Sequence, residues 1–161
     1  MTARPDMDWD AVAAEATDLL SRYLQIDTSN PPGNEEAACR FLEQVLQSDG
    51  IRAIDLYDAS DAASQGRMNL RARLPGDGSK RPLILLNHTD VVPVQAQYWE
   101  VPTFSGAVID GYVWGRGALD MKSLAVMELM AFLLVKRLAL PLKRDLVFLA
   151  CADEEAGRAY G

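Results

Sequence analysis

The sequence predicts an α/β fold in which a layered sheet is flanked by helices. Segments with the helical spacing of apolar residues alternate with short apolar runs typical of buried strands. Turn-forming residues separate these segments. At 161 residues the chain has the length of one domain. Ligands of such folds lie beyond the carboxyl ends of the strands, so the residues after each strand are the first candidates for a functional site.

Two helices open the chain. From Trp9 onward apolar residues recur every three or four positions, and Asp8 is placed to cap this helix. The Asn-Pro-Pro-Gly run at 30–33 cannot continue a helix. Asn34 is placed to cap the second helix, and Gly50 is placed to end it.

The later elements combine strands, a hairpin and one apolar helix. Strand patterns lie at 51–57, 68–74, 83–86 and 146–151. The unbroken apolar runs at 83–86 and 146–151 predict central strands, the first buried on both faces of the sheet. The dipeptide at 110–111, Asp-Gly, predicts a hairpin. The segment 122–138 is apolar nearly all round, which predicts a buried or sandwiched helix.

Charge and composition exclude several classes of partner. The chain has 23 acidic and 16 basic residues, a net charge of -7, and no long basic cluster, which argues against nucleic acid. The N-terminus lacks the apolar segment of a signal peptide. The apolar stretch at 124–135 is too short for a membrane span and contains Glu128. We therefore predict a cytoplasmic protein without a nucleic-acid or membrane partner.

The single histidine of the chain stands after a predicted strand. His88 is followed two residues later by Asp90, whose carboxylate can accept the second ring N–H of His88 and so fix its tautomer. A lone histidine is more often structural than a metal ligand, but this pairing is the one that metal-bound histidines favour. We therefore predict that His88 binds a metal ion and that Asp90 orients it.

Three consecutive acids, Asp153, Glu154 and Glu155, follow the last predicted strand. A solvated acidic turn is the ordinary interpretation. Neighbouring side chains leave a strand in roughly opposite directions, so the two glutamates are unsuited to one shared task. A division of labour fits better, in which one glutamate binds metal and the other moves protons as general base and then acid.

Asp120 follows a Gly-Arg-Gly turn and precedes the apolar helix. A helix cap is the ordinary interpretation of such a residue. The functional interpretation is a carboxylate that bridges two cations. Arg116 and Lys122 are placed to balance the charge of the acids, and we predict no catalytic role for them. Together these residues predict a metal-assisted hydrolase.

Four linked motifs give the chain a resemblance to a known family. They are IDTSNPPGNE (26–35), HTDVVP (88–93), DGYVWGRGALDMK (110–122) and DEE (153–155), with Trp99 and FSG (104–106) between them. In order and spacing they resemble the zinc metallopeptidases that include aminoacylase, acetylornithine deacetylase, succinyl-diaminopimelate desuccinylase and carboxypeptidase S. The resemblance runs from about residue 9 to the last residue.

The resemblance implies a zinc-peptidase-like catalytic domain and a role for each candidate residue. His88 would bind one metal ion, Asp120 would bridge both ions, and Glu155 would bind the other. Glu154 would be the general base, and Asp90 the partner of His88. The implied reaction is hydrolysis of an amide bond in an N-acyl amino acid or a peptide. Two divalent ions assist it, usually zinc, with cobalt or another divalent ion as a substitute.

The chain departs from the family in the number of ligands that it supplies. Even when both ions share Asp120 and a bridging hydroxide, each is about one protein ligand short of four-coordination. Family members supply a further acid and a further histidine downstream, with a separate lid domain that commonly mediates dimers. We expect residues 1–161 to be the truncated N-terminal portion of a metallopeptidase catalytic domain, without the lid or dimerisation domain. Such a chain would hydrolyse amides poorly or not at all, and its exposed sheet edge would favour self-association.

Alternatives of other classes stay open at this point. One is a non-catalytic module that retains a weak metal site, and another is a truncated gene product without activity. A third is a cysteine hydrolase that pairs Cys151 with His88, although nothing in the sequence marks this thiol as activated. Cys39 and Cys151 both fall in apolar patterns typical of buried thiols, and we expect no disulfide.

Overall fold

A computed structural model of the chain describes residues 7–157 and 159–161. The helices are α1 (Trp9–Leu24), α2 (Glu35–Ser48) and α3 (Lys122–Arg137), and a short 3-10 helix spans Ala96–Tyr98. The strands are β1 (Ile54–Asp58), β2 (Met68–Leu74), β3 (Leu83–His88), β4 (Ala107–Ile109), β5 (Tyr112–Trp114) and β6 (Leu146–Cys151). The predicted α/β architecture with helices flanking a sheet is confirmed.

The main sheet has the strand order β1-β2-β6-β3. Strand β6 is central, as predicted, and pairs antiparallel with β2 and parallel with β3. In the parallel pair His88 lies opposite Cys151, so the two strands end side by side. The residues that follow both strands therefore emerge at one edge of the sheet.

Local contacts account for the start of α1 and the end of α2. The carboxylate of Asp8 accepts a hydrogen bond from the Ala11 amide at 3.0 Å, which caps α1 as predicted. Asn34 stands at the start of α2, but its side chain makes no cap bond there and instead donates to the Asp27 carbonyl at 3.2 Å. After α2 the chain turns at Gly50 with φ of 77°, a value that glycine adopts without strain.

The predicted hairpin is present as the separate two-stranded sheet of β4 and β5. Its turn residues Asp110 and Gly111 have φ of 51° and 82°. Two positive φ values are what a two-residue turn with the right-handed twist of its strands requires. The Asp-Gly pair therefore determines this turn.

The core lies between the sheet and the helices. Along β2 and β6 buried side chains alternate with more exposed ones, so one face of each strand is turned toward the helices. Phe148 of β6 is fully buried, and its ring centroid is 6.2 Å from that of Phe132 in α3. Leu42 and Leu46 of α2 belong to the same buried cluster.

Two predictions of burial are wrong. Strand β3 lies at the edge of the described sheet, and Leu83, Ile84 and Leu86 keep 48%, 53% and 58% of their surface exposed. Helix α3 is not enclosed, because Leu124 and Met127 are exposed. An apolar pattern reports which residues avoid water but not which element covers them. Within residues 7–157 and 159–161, no helix is both long enough and apolar enough to cross a membrane.

Candidate metal centre

Three separate segments bring His88, Asp120 and Glu155 together. His88 ends β3, Asp120 lies in the loop before α3, and Glu155 lies in the turn after β6. One nitrogen or oxygen atom from each side chain can be chosen so that all three lie within 4.8 Å of one another. His88 is buried, Glu155 is half-buried and Asp120 is exposed. This cluster joins the three residues that the sequence predicts as metal ligands.

Contacts on both ring nitrogens hold the imidazole of His88. Its Nδ1 lies 3.0 Å from the carbonyl oxygen of Asp90 and 3.4 Å from the carboxylate. Its Nε2 lies 3.2 Å from Oδ1 of Asp120. Burial lowers the pKa of His88, but the hydrogen bonds to Asp90 and Asp120 outweigh it and raise the pKa to about 9. The ring therefore presents Nε2 toward the acidic cluster.

Asp90 is fully buried and surrounded by donors. Its carboxylate accepts hydrogen bonds from Asn30 Nδ2 at 2.8 Å and from the amides of Glu154 and Glu155 at 3.1 and 2.9 Å. Burial raises the pKa of Asp90, but the hydrogen bonds from His88 and Asn30 outweigh it and lower the pKa to about 2. The position and saturation of this carboxylate suit an orienting residue better than a ligand.

The turn after β6 is built around Asp153. This residue has φ of 61°, a left-handed conformation that aspartate tolerates better than most residues. Its carboxylate accepts hydrogen bonds from the Gly157 and Ala159 amides at 3.3 and 2.8 Å. Burial raises the pKa of Glu155, and the nearby Asp120 carboxylate raises it further. Such crowding of acids favours a cation between them.

The backbone on both sides of Asp120 is anchored, although its side chain is 78% exposed. Gly117 has φ of 86°, and its carbonyl accepts a hydrogen bond from the Lys122 amide at 2.8 Å. The buried Lys122 Nζ donates to the carbonyls of Ile26 and Tyr23 at 2.7 and 3.3 Å. The loop thus holds Asp120 in place without using its carboxylate.

The expected charge balance by Arg116 and Lys122 is wrong. Lys122 is buried against backbone carbonyls, and the guanidinium of Arg116 lies 5.6 Å from the ring centroid of Trp99. Within residues 7–157 and 159–161, the guanidinium that lies beside the acids is that of Arg67, 3.7 Å from Asp153 Oδ1. Sequence reasoning missed Arg67, because an arginine between a loop and a strand carries no signal of its own.

An open cavity of about 570 Å³ lies beside the cluster. Its walls include His88 and Asp120, and also Glu154, which is exposed. The structure therefore places Glu154 next to space that a small molecule can enter, and Asp90 behind His88. The roles of these residues stay predictions.

The cysteine pair has a different environment from that of an activated nucleophile. Burial raises the pKa of the Cys151 thiol, although the residue lies opposite His88 in the sheet. A catalytic cysteine needs the opposite change. Cys39 is buried, and its thiol donates to the Met68 carbonyl at 3.2 Å. Both cysteines are free, as expected.

Comparison with known proteins identifies relatives along most of the chain. Residues 84–161 match the model of Peptidase family M20/M25/M40. The chain is 34% identical over 145 residues to aminoacylase-1 of Sus scrofa, covering 89% of this chain and 34% of that protein. It is 39% identical over 90 residues to succinyl-diaminopimelate desuccinylase of Cereibacter sphaeroides, covering 55% of this chain and 22% of that protein. The chain thus spans about a third or less of the length of these relatives.

Solved structures share the fold. The dipeptidase Dug1p of Saccharomyces cerevisiae matches with a TM-score of 0.79 at 20% identity, covering 94% of this chain and 34% of that chain. Human carnosine dipeptidase 1 matches with a TM-score of 0.72 at 25% identity, with the same coverage of 94% and 34%. Family model, relatives and fold agree with the resemblance carried by the four motifs. Residues 84–161 match peptidase family M20/M25/M40, and the sequence relatives of the chain agree with that match.

Proposed function

We propose that this chain carries part of the catalytic centre of a metal-dependent hydrolase that cleaves amide bonds in N-acyl amino acids or short peptides. The observation that carries the proposal is the convergence of one imidazole and two carboxylates, with ligand atoms within 4.8 Å of one another. The names of the relatives, an aminoacylase, a desuccinylase and a dipeptidase, support this class of substrate.

The donor set suits zinc. An imidazole nitrogen with carboxylate oxygens is a mixed shell that zinc accepts, and cobalt or another divalent ion can replace it. In the proposed site His88 would hold one ion, Glu155 would hold the second, and Asp120 would contribute to both. Bound ions would polarise the amide carbonyl and lower the pKa of a water molecule. Burial, and after it the Asp120 carboxylate, raises the pKa of Glu155, and this closeness of two acids supports a cation at this place.

The remaining roles belong to side chains next to the cluster. Glu154 would take a proton from the attacking water and deliver it to the departing amine nitrogen. Its position at the cavity wall supports this role, since a general base must reach both the water and the substrate. Asp90 would keep the His88 ring oriented through Nδ1.

The described residues supply three ligand groups to this cluster. Two four-coordinate ions that shared Asp120 and a hydroxide would each need about one further protein ligand. The resemblance assigns these two ligands, a lid domain and dimer contacts to sequence downstream of the segment that this chain matches. We therefore propose that residues 1–161 alone hydrolyse amides slowly or not at all.

Titration with Co²⁺, followed by its visible absorption, tests the metal site. The chain should bind Co²⁺, and Asp120→Asn should weaken binding at least about tenfold. Asp110→Asn is the matched control, because it makes the same change at an exposed turn. Binding of two ions per chain favours the hydrolase, whereas one weak site favours a non-catalytic remnant. Absence of binding contradicts the proposal.

Hydrolysis of an N-acetylated amino acid by the zinc-loaded chain tests the catalytic assignment. We expect slow turnover or none from the wild type. Robust turnover that Glu154→Ala abolishes would show that three ligand groups suffice, and would support Glu154 as the base. Robust turnover that survives Glu154→Ala would refute the role of Glu154.

A further inference from the structure

A connected group of buried polar side chains lies behind the candidate metal centre. It consists of Asn30, Glu35, Arg67, Asp90 and Asp153, which we call the support network, and each member is at most 4% exposed. These residues come from four well-separated parts of the sequence. Buried polar groups at this depth are costly unless they are paired, so their contacts indicate what the fold uses them for.

Asn30 connects the two strand ends that carry the site. Its Nδ2 donates to Asp90 Oδ2 and to Asp153 Oδ1, both at 2.8 Å. Asp90 follows β3, and Asp153 follows β6. One amide group therefore donates to both acids. Without it, the two neighbouring carboxylates would repel each other.

Arg67 holds Asn30 from the other side. Its Nη2 donates to Asn30 Oδ1 at 2.9 Å, and its Nη1 donates to a carboxylate oxygen of Glu35. The same Nη1 lies 3.7 Å from Asp153 Oδ1. The guanidinium thus fixes which way the Asn30 amide points, so that the NH₂ group faces the acids. The guanidinium also places a permanent positive charge beside Asp153 and Glu35.

The network ends on the backbone of the two glutamates. Asp90, held by Asn30, accepts hydrogen bonds from the Glu154 and Glu155 amides at 3.1 and 2.9 Å. The same carboxylate lies 3.4 Å from His88 Nδ1. A displacement of Asp90 therefore moves the His88 ring and the Glu154–Glu155 segment together.

We propose that Asn30 and Arg67 are positioning residues, which act through Asp90 and Asp153 to hold His88 and Glu155 at ligand-sharing distance. This inference rests on the proposed function for its consequence, namely metal affinity. Its structural content, the control of the turn at residues 153–155, is measurable without metal. Neither residue lies among the side chains of the cavity wall, so neither is assigned contact with substrate.

Two variants test the inference with matched controls. Arg67→Lys keeps the positive charge but loses the planar fork that bonds Asn30 and Glu35 together. Asn30→Asp keeps the shape but replaces the donor that faces two carboxylates with a third acid. The controls are Arg71→Lys, in the strand β2 that Arg67 precedes, and Asn34→Asp at the start of α2. Arg71 is exposed and paired with Asp55, and Asn34 is exposed.

The first measurement is amide hydrogen exchange at Glu154 and Glu155 in the folded, metal-free chain. Both test variants should exchange about tenfold faster at these amides, whereas the controls should not differ from wild type. Unchanged exchange in both folded variants overturns the inference. If Asn30→Asp fails to fold, Arg67→Lys decides this arm of the test.

The second measurement is Co²⁺ affinity under conditions in which urea titration shows wild type and variants to be fully folded. A weakening of about 10- to 100-fold is expected, as for other residues that orient metal ligands. Faster exchange with unchanged Co²⁺ affinity overturns the inference, because the network would then stabilise the turn without positioning ligands. If the wild type binds no Co²⁺, the proposed function fails, and the exchange measurement alone decides whether the network holds the turn.

Discussion

The two carboxylates on either side of His88 have opposite environments. Asp90, on the Nδ1 side, is fully buried and accepts three hydrogen bonds from Asn30 and the amides of Glu154 and Glu155. Asp120, on the Nε2 side, has a side chain that is 78% exposed, and its contact in the described structure is with His88 at 3.2 Å. The fold saturates one acid and leaves the other with lone pairs directed outward.

This difference indicates that Asp90 orients its neighbours and that Asp120 is available to bind a cation. A carboxylate that is saturated by protein donors contributes to stability and to the orientation of its neighbours. A carboxylate with unused lone pairs contributes little to folding but is available to a cation. The two aspartates should therefore respond differently to the same substitution.

The largest expected difference is in the free energy of unfolding. Asp90→Ala leaves one of the two N–H groups of the Asn30 amide and two backbone N–H groups without an acceptor, and should lower the unfolding free energy by about 3 kcal/mol. Asp120→Ala should change it by no more than about 0.5 kcal/mol. Urea denaturation of the metal-free chain measures both values. Equal losses of unfolding free energy in the two variants would contradict the distinction between a supporting Asp90 and a cation-binding Asp120.

A smaller effect is expected at the residue that anchors the exposed aspartate. Lys122→Met removes the donor from the Tyr23 and Ile26 carbonyls and should lower the unfolding free energy by about 2 kcal/mol at pH 9. If the variant is as stable as wild type, the anchoring role of Lys122 is refuted.

The pH dependence of this loss has a defined sign. Burial lowers the pKa of Lys122 to about 7, although nearby Asp27 opposes this, whereas an unfolded lysine has a pKa near 10.5. Between these values the unfolded chain binds more protons, so wild-type stability gains with rising pH and the variant lacks this gain. The difference between the two chains should therefore widen from pH 7 to pH 10.5. Because both chains contain His88, the titration of the imidazole cancels in the comparison.

The next effect is on the titration of His88, which NMR can follow without ambiguity in a chain with one histidine. In the metal-free wild type the pKa should lie near 9. Asp120→Asn should lower this pKa by about 1, and Asp90→Asn should lower it further, because the buried carboxylate is less screened by water. Asp110→Asn should leave it unchanged. A larger decrease in the His88 pKa from Asp120→Asn than from Asp90→Asn would contradict this prediction.

The same titration has a consequence for stability. The pKa of His88 is higher in the folded chain than the usual 6.5, so the folded state binds the proton more tightly. This contribution to stability is complete below pH 6.5 and is lost as the pH rises through about 9. Urea denaturation of wild type and Asp90→Asn at several pH values measures this loss. The difference in unfolding free energy between the two chains should decrease as the pH rises from 6.5 through about 9.

The smallest expected effect on stability lies at the start of the strand that carries His88. Ile84→Lys places a charge on a side chain that is already half exposed at the sheet edge, so the unfolding free energy should change by no more than about 0.5 kcal/mol. Self-association should decrease, because an exposed apolar edge strand is prone to pair with another chain. Sedimentation velocity at several concentrations measures this change. A loss of several kcal/mol would show that Ile84 is packed.

Much of the architecture could be predicted from the sequence. The bounds of β2 and β6 match the predicted strands, and the hairpin at Asp110 and Gly111 forms where its dipeptide indicates. These features depend on local periodicity and turn chemistry, which neighbouring residues determine. The two-sided burial predicted for β3 failed, because burial depends on which other elements are present.

The candidate site divides in the same way. The sequence predicted the ligands from residue types, their places in the pattern and the family resemblance: His88 after a strand, Asp120 before the apolar helix, and Glu155, which the resemblance selects from the last acidic run. Only the tertiary structure decided that Asn30 and Arg67 stand behind them and that Lys122 is buried away from the acids. Ligand chemistry belongs to a single residue type and can be seen in a sequence. A support network consists of distances between residues far apart in the chain, and those distances exist only after the chain has folded.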